Sequence, residues 1–147
     1  MKNTTIPGST DSVDQAPSSS LITSAARWIA AFILGQTLFF KFSGAAESVA
    51  LFESLGAEPW GRIGSGVFEA IAMIMLIAPL GNRVRAVGAA LVMGLMGGAI
   101  ASHLFILGVE VQEDGGLLFG MAILTFVCGA RVAWEGRQWL AGPSRIG

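Results

Sequence analysis

Apolar and polar positions alternate along this chain in long blocks. Four apolar stretches stand out, at residues 21–43, 60–80, 85–108 and 115–134, and the charged residues gather at the breaks between them. At about 1.5 Å of rise per residue, a helix over each stretch crosses a hydrocarbon core about 30 Å thick. Residues 86–109 carry no formal charge, and His103 is the one titratable side chain among them. A soluble helix of that length would show a charged outer face, so the block predicts a membrane span. The pattern as a whole predicts an all-α fold: a four-helix transmembrane bundle.

Between spans 1 and 2 lies a shorter pattern. At about 100° per residue, Ala45, Val49, Leu51, Phe52 and Leu55 share an arc of about 160°, with Glu47, Glu53 and Ser54 on the other side. This predicts a short amphipathic helix over residues 45–55, resting on the outer leaflet or capping the bundle, and ended by Gly56 and Pro59. The third span carries a small residue at every fourth position: Ala86, Ala90, Gly94, Gly98 and Ser102. Such a row lets two helix backbones approach closely. Packing inside the bundle is the expected use, and a seam between two copies is the alternative.

Composition agrees with the bilayer reading, with 53% hydrophobic and 13% charged residues. Residues 1–20 are rich in Ser, Thr, Asp, Asn and Pro and bury too little apolar surface to order themselves, so they read as a flexible polar tail. The membrane domain then spans 21–140, and 141–147 form a C-terminal tail. Ser43, Gly44 and Ala45 resemble a signal cleavage site, but the preceding Lys41 and the fit of four spans favour an uncleaved first helix. A net charge of −1 without a basic cluster argues against nucleic acid as a partner. The single cysteine, Cys128, excludes an internal disulfide, a paired-cysteine redox motif and a cysteine-based zinc site; it reads as a packing residue.

Charge sets the expected orientation. With both termini cytoplasmic, that side holds Lys2, Arg27, Arg83, Arg85, Arg131, Arg137 and Arg145, while the outer side holds Lys41 and Arg62. This is the positive-inside distribution, and four spans return both ends to one side. The outer side also collects Glu47, Glu53, Glu58, Glu110, Glu113 and Asp114.

Glu69 is the candidate for chemistry. It lies nine residues after Trp60, about 13 Å into the core at helical rise, where a carboxyl group needs a partner and an inward orientation. Lys41 near the outer end of span 1 and His103 near the outer end of span 3 fall at comparable depth, and Gln36 extends the group. Ser65, Gly66, Ala72 and Met73 leave space beside Glu69 for a partner or ligand. Glu69, Lys41, His103 and Gln36 therefore form a candidate ligand-binding cluster opening outward. The plainer readings stand beside it: a structural Glu69–Lys41 ion pair, a snorkelling Lys41, and a neutral His103 hydrogen-bonding between helices. No phosphate-binding loop, nucleophile elbow or paired-histidine zinc motif is present. One histidine cannot ligate haem on both faces, and no metal site is expected.

Taken together, these residues resemble the DoxX-like family of small bacterial four-helix membrane proteins, from about Arg27 to Ala133. The features are a first span running from Gly35 to Lys41, a loop with Phe52, Leu55 and Gly56, and a second span with Glu69 midway. A turn with Pro79, Arg83 and Arg85 follows, and then a third span with Met93 and His103. The resemblance implies a protein of the bacterial cytoplasmic membrane associated with membrane redox partner proteins, since family members include subunits of a thiosulfate:quinone oxidoreductase and of a quinol oxidase. It implies no catalytic residue. A quinone as ligand suits the bundle, because its ring needs an apolar slot and its carbonyls need donors such as Lys41 and His103. The competing readings are a structural or assembly protein working through the small-residue row, including a homo-oligomer, and a small proton-coupled transporter with Glu69 as its gate.

Overall fold

The computed structural model describes residues 17–140. The C-terminal tail and all but the last four residues of the expected N-terminal tail lie outside that range. The elements are α1 (Pro17–Ser43), α2 (Ala46–Ser54), α3 (Trp60–Ile77), α4 (Asn82–Ser102) and α5 (Leu117–Leu140), with α4 widening into a π-helical turn at His103–Leu107. The described part of α1 takes in residues 17–20 of the stretch expected to be tail.

Four helices, all except α2, are long and apolar enough to cross a membrane. Their large side chains point outward: Phe32 is 74% exposed and Phe105 84%. The interior is built from smaller residues, with Ala26, Ala30 and Leu34 of α1 facing Ala72 and Leu76 of α3, Ala89 and Val92 of α4, and Cys128 and Val132 of α5. Such an arrangement, bulky outside and small inside, suits lipid as solvent, because helix association there depends on close packing rather than on hiding apolar surface.

The long helices form a four-membered ring. Here α1 packs against α3 and α5, and α4 packs against the same two, most extensively against α5. Glycines set the close approaches. A methyl group at Gly88 of α4 would lie 2.6 Å from Met75 Cβ of α3, and one at Gly136 of α5 would lie 2.6 Å from Ala86 Cβ of α4. Gly129 is tight as well, with Val92 Cγ1 at 3.2 Å.

The row of small residues on α4 is not the packing ridge inside the bundle. Ala86 and Ser102 lie at or near packed positions, but Ala90, Gly94 and Gly98 are exposed, and nothing comes within 4 Å of a methyl group built on Gly94 or Gly98. The intramolecular seam is a different row, Gly88, Ala89 and Val92, which faces α3 and α5. A four-residue period names a ridge but not its direction, and the buried ridge here is set by Gly136 and Met75 across the contact.

Helix α2 has no fully buried residue, yet its expected apolar positions are half-buried and Glu47, Glu53 and Ser54 are exposed. It leans on α3 through Phe52, which reaches within 3.4 Å of a methyl group built on Gly61. From above, the side-chain amide of Gln112 in the α4–α5 loop donates to the Glu47 carbonyl at 3.0 Å. The short helix is thereby held over the end of the bundle where α1 finishes and α3 begins.

Candidate functional site

Two residues from the expected cluster meet directly. Lys41 sits in the last turn of α1 and Glu69 near the middle of α3, and Lys41 Nζ lies 2.5 Å from Glu69 Oε1. Glu69 is 4% exposed, so its carboxylate is taken out of any outer solvent, whether lipid or water. A charge so placed is costly unless it is paired and its remaining lone pairs are met. Thr37, one helical turn before Lys41, meets the second oxygen: its hydroxyl stands 3.2 Å from Glu69 Oε2 and 2.9 Å from its own helix carbonyl at Leu34. The hydroxyl has one proton, so it serves one acceptor at a time and can turn between them.

A second layer encloses the pair. The Lys41 ammonium lies 5.5 Å from the ring centroid of Phe52 in α2, a cation–π distance. Arg62 at the start of α3 donates to the Lys41 backbone carbonyl and grips Glu58 at 2.7–3.0 Å through two of its nitrogens. That grip holds the Glu58 carboxyl below its ordinary range, chiefly through the hydrogen bond from Arg62. The end of α1 is thus pinned to the start of α3, which fixes Lys41 over Glu69.

The space expected beside Glu69 is filled. Gly66, one turn before it, is covered by the ring of Phe42, whose Cζ lies 3.1 Å from a methyl group built there. Gly35 of α1 faces the Met73 sulfur in the same way, at 3.6 Å. Small residues around Glu69 therefore admit neighbouring side chains rather than a standing cavity.

The other two candidates lie apart. His103 is 5% exposed and opens the π-helical turn. Its Nδ1 is 2.9 Å from the Gly108 carbonyl, and because that oxygen can only accept, Nδ1 carries the proton. The Gly108 amide returns a bond to the His103 carbonyl at 2.8 Å, and the ring packs 5.6 Å from that of Phe119. No contact joins His103 to Glu69 or Lys41 among the described residues. Gln36 faces outward on α1.

The acidic α4–α5 loop is a turn organised by Asp114. Its carboxylate accepts the amides of Val111, Gly116 and Leu118 at 2.8–3.0 Å, which caps the start of α5. These bonds, led by the one from Leu118, hold its carboxyl below the usual value, with His103 adding a smaller electrostatic contribution.

Thr37 and Arg62 are the site residues the sequence reading missed. Thr37 had a signal. At about 100° per residue, it lies about 40° from Lys41 around α1, whereas Gln36 lies about 140° away. Depth alone had favoured Gln36, and helical angle decides for Thr37.

Comparison with curated proteins and with solved structures finds no match. A family model described as the DoxX-like family matches residues 24–130, from α1 into α5, and so takes in Lys41, Glu69 and His103. With four helices suited to spanning a membrane and that match over most of its length, the chain belongs to the DoxX-like family of integral membrane proteins.

Proposed function

We propose that the chain is a quinone-linked subunit or accessory of a redox system in the bacterial cytoplasmic membrane, with both termini cytoplasmic and with Lys41 and Glu69 as its ligand-facing pair. The observation that carries this reading is a buried ion pair between α1 and α3 with the Phe52 ring of α2 against its ammonium. The Lys41 ammonium can donate to a quinone carbonyl, the Glu69 carboxylate can accept from a hydroxyl of the reduced quinol, and Phe42 and Phe52 supply aromatic faces for its ring. Entry requires Phe42 and α2 to move aside, and α2, with no buried residue, is the least anchored helix. Thr37 positions the carboxylate and Arg62 the end of α1. A bound quinone supplies electron transfer with a partner protein; this chain holds the head group and keeps water from it.

Purification from native membranes in mild detergent, followed by extraction and chromatography of retained quinones, tests the reading. Retention by the natural chain and loss in Glu69→Gln, with the variant still folded, is the expected result. A folded natural chain that retains no quinone and no redox partner overturns it.

A second reading, a structural or assembly subunit, is favoured by the exposed Ala90, Gly94 and Gly98 on α4, a face suited to close contact with another helix in lipid. Under that reading Gly94→Leu removes a partner or a second copy from the purified complex and leaves the bundle folded.

A further inference from the structure

The short helix α2 closes one end of the bundle, and it is held there differently from the long helices. It buries no residue fully. Its inner face meets the rest of the protein through Phe52, whose ring lies 3.4 Å from a methyl group built on Gly61 of α3 and 5.5 Å from the Lys41 ammonium. Phe52 is thus the side chain by which α2 covers the charged end of Lys41. Gly44 and Gly56 flank the helix, both with left-handed φ, 67° and 64°, and nothing lies within 4 Å of a methyl group built on either. Each is crossed by a backbone bond that ends the helix before it. The Ala45 amide donates to the Phe40 carbonyl at 3.2 Å, and the Ala57 amide to the Phe52 carbonyl at 2.8 Å. Glycines in open space at both ends of one element can absorb the φ and ψ changes of a swing.

A further contact reaches α2 from the α4–α5 loop, where the Gln112 side-chain amide donates to the Glu47 carbonyl at 3.0 Å. The loop is built around this reach. Gln112 and Glu113 take left-handed φ in succession, 54° and 60°, a region that neither residue type favours. Such backbone persists where its surroundings impose it. Here Val111 is buried just before the two, and the Asp114 carboxylate just after them holds the amides of Val111, Gly116 and Leu118. The loop is therefore fixed to α5 and presents Gln112 to a helix that buries nothing.

We infer that α2 is a hinged lid over the Lys41–Glu69 pair, seated by Phe52 and latched by Gln112, and that release of the latch opens a path from this end of the bundle to the pair for a polar head group. The inference deepens the ligand reading above and rests on it for what enters, whereas the movement itself can be measured without a ligand. One exposed neutral hydrogen bond shifts an equilibrium by a factor of about five. A latch of that strength keeps α2 shut without making it permanent.

The test uses the full chain in detergent, treated with a water-soluble acetylating ester. Acetylation of Lys41 is followed by mass spectrometry against that of Lys2, the one other lysine, and amide exchange over α2 is measured on the same samples. Gln112→Ala should speed Lys41 acetylation by about fivefold, as loss of that bond raises the open population. Phe52→Ala, which removes the seat, should speed it further. Amides inside α2 should keep their natural exchange rates in Gln112→Ala, because the helix swings as a unit. Gln138→Ala, at an exposed glutamine near the far end of α5, should change neither reading. The melting temperature of Gln112→Ala should stay that of the natural chain, which shows the bundle to be folded. Unchanged Lys41 acetylation in Gln112→Ala overturns the inference. So does α2 amide exchange that rises by the same factor as Lys41 acetylation, since α2 would then unfold rather than swing. Quinone retention is scored separately: its absence overturns the ligand reading and leaves the acetylation result standing.

Discussion

Lys41 of α1 and Glu69 of α3 form an ion pair with 2.5 Å between Nζ and Oε1, and this pair joins the two helices where the bundle would otherwise hold only small apolar side chains. Three neighbours surround it: Thr37 at the second carboxylate oxygen, the Phe52 ring beside the ammonium, and Arg62 on the Lys41 carbonyl. Glu69 is held in α3 by ordinary helix geometry, whereas Lys41 depends on the α1 terminus being fixed. The pair is therefore as rigid as the Arg62 clamp.

Removing one member should cost more than removing both. Lys41→Met leaves a buried, unpaired carboxylate, and breaking such a pair typically costs about 3–5 kcal/mol. The double variant Lys41→Met, Glu69→Gln leaves a neutral amide beside Thr37 and should recover most of that loss. Thermal melts of the four members of this cycle in one detergent measure it, and additive losses would mean that the two residues act independently.

Glycine substitutions should separate the packed ridge of α4 from its open one. Gly88→Ala and Gly136→Ala force a methyl group to 2.6 Å from Met75 Cβ and Ala86 Cβ respectively, an overpacking that typically costs about 1–3 kcal/mol. Gly94→Ala and Gly98→Ala meet nothing within 4 Å and should gain up to about 1 kcal/mol from helix propensity. Denaturation of the purified chain reads both effects; equal losses at all four positions would contradict the assignment of the ridges.

The orientation proposed from charge has a direct check. Reporter fusions after residue 20 and after residue 140 should both report the cytoplasm, and one after Gly115 the other side. The basis is the concentration of basic residues near the termini and the α3–α4 turn. A non-cytoplasmic C-terminus would reverse the bundle and put its Lys41 end on the cytoplasmic side.

Hydrophobic blocks made the four long helices readable, because spanning a bilayer demands length and apolarity over nearly every residue. The amphipathic arc made α2 readable for a similar reason, since one face of it meets protein. Glu69 and its partner Lys41 were readable from depth, because an acid in the core has few partners to choose from. Angular facts were harder. Whether Gly94 or Gly88 faces a neighbour depends on the rotation of α4, and in lipid an apolar outer face looks like an apolar inner one. Thr37 was hidden behind Gln36 for the same reason. His103 was placed with Glu69 by depth, and its partner turned out to be five residues on, where the helix widens into a π turn that no periodicity announces.

Asp114 supplies a pH-dependent contribution of known sign. Its folded pKa lies below the reference value of 3.8, so the stabilisation is complete above that value and is lost as pH falls through the folded pKa. Asp114→Ala should cost about 0.5–2 kcal/mol at neutral pH, the range seen when a side chain that accepts a first-turn amide is lost from a helix start. The gap between the two proteins should shrink in acid below 3.8. Hydrogen exchange at the Leu118 amide, compared at both pH values, follows the cap itself, and a gap that stays constant would show that the carboxylate charge is not what holds the turn.

The last prediction concerns His103, whose Nδ1 proton is committed to the Gly108 carbonyl. That bond closes the π-helical turn on itself, with the Gly108 amide returning to the His103 carbonyl. His103→Phe keeps a ring against Phe119 and loses the donor, so it should cost about 0.5–1.5 kcal/mol, the net worth of one hydrogen bond. His103→Ala loses the ring packing as well and should cost more. Both should speed amide exchange at Gly108, and neither should affect quinone retention, because nothing joins His103 to the Lys41–Glu69 pair among the described residues. If His103→Phe instead abolished retention while leaving the melting temperature unchanged, His103 would belong to the ligand site after all, with its Nε2 as the functional atom.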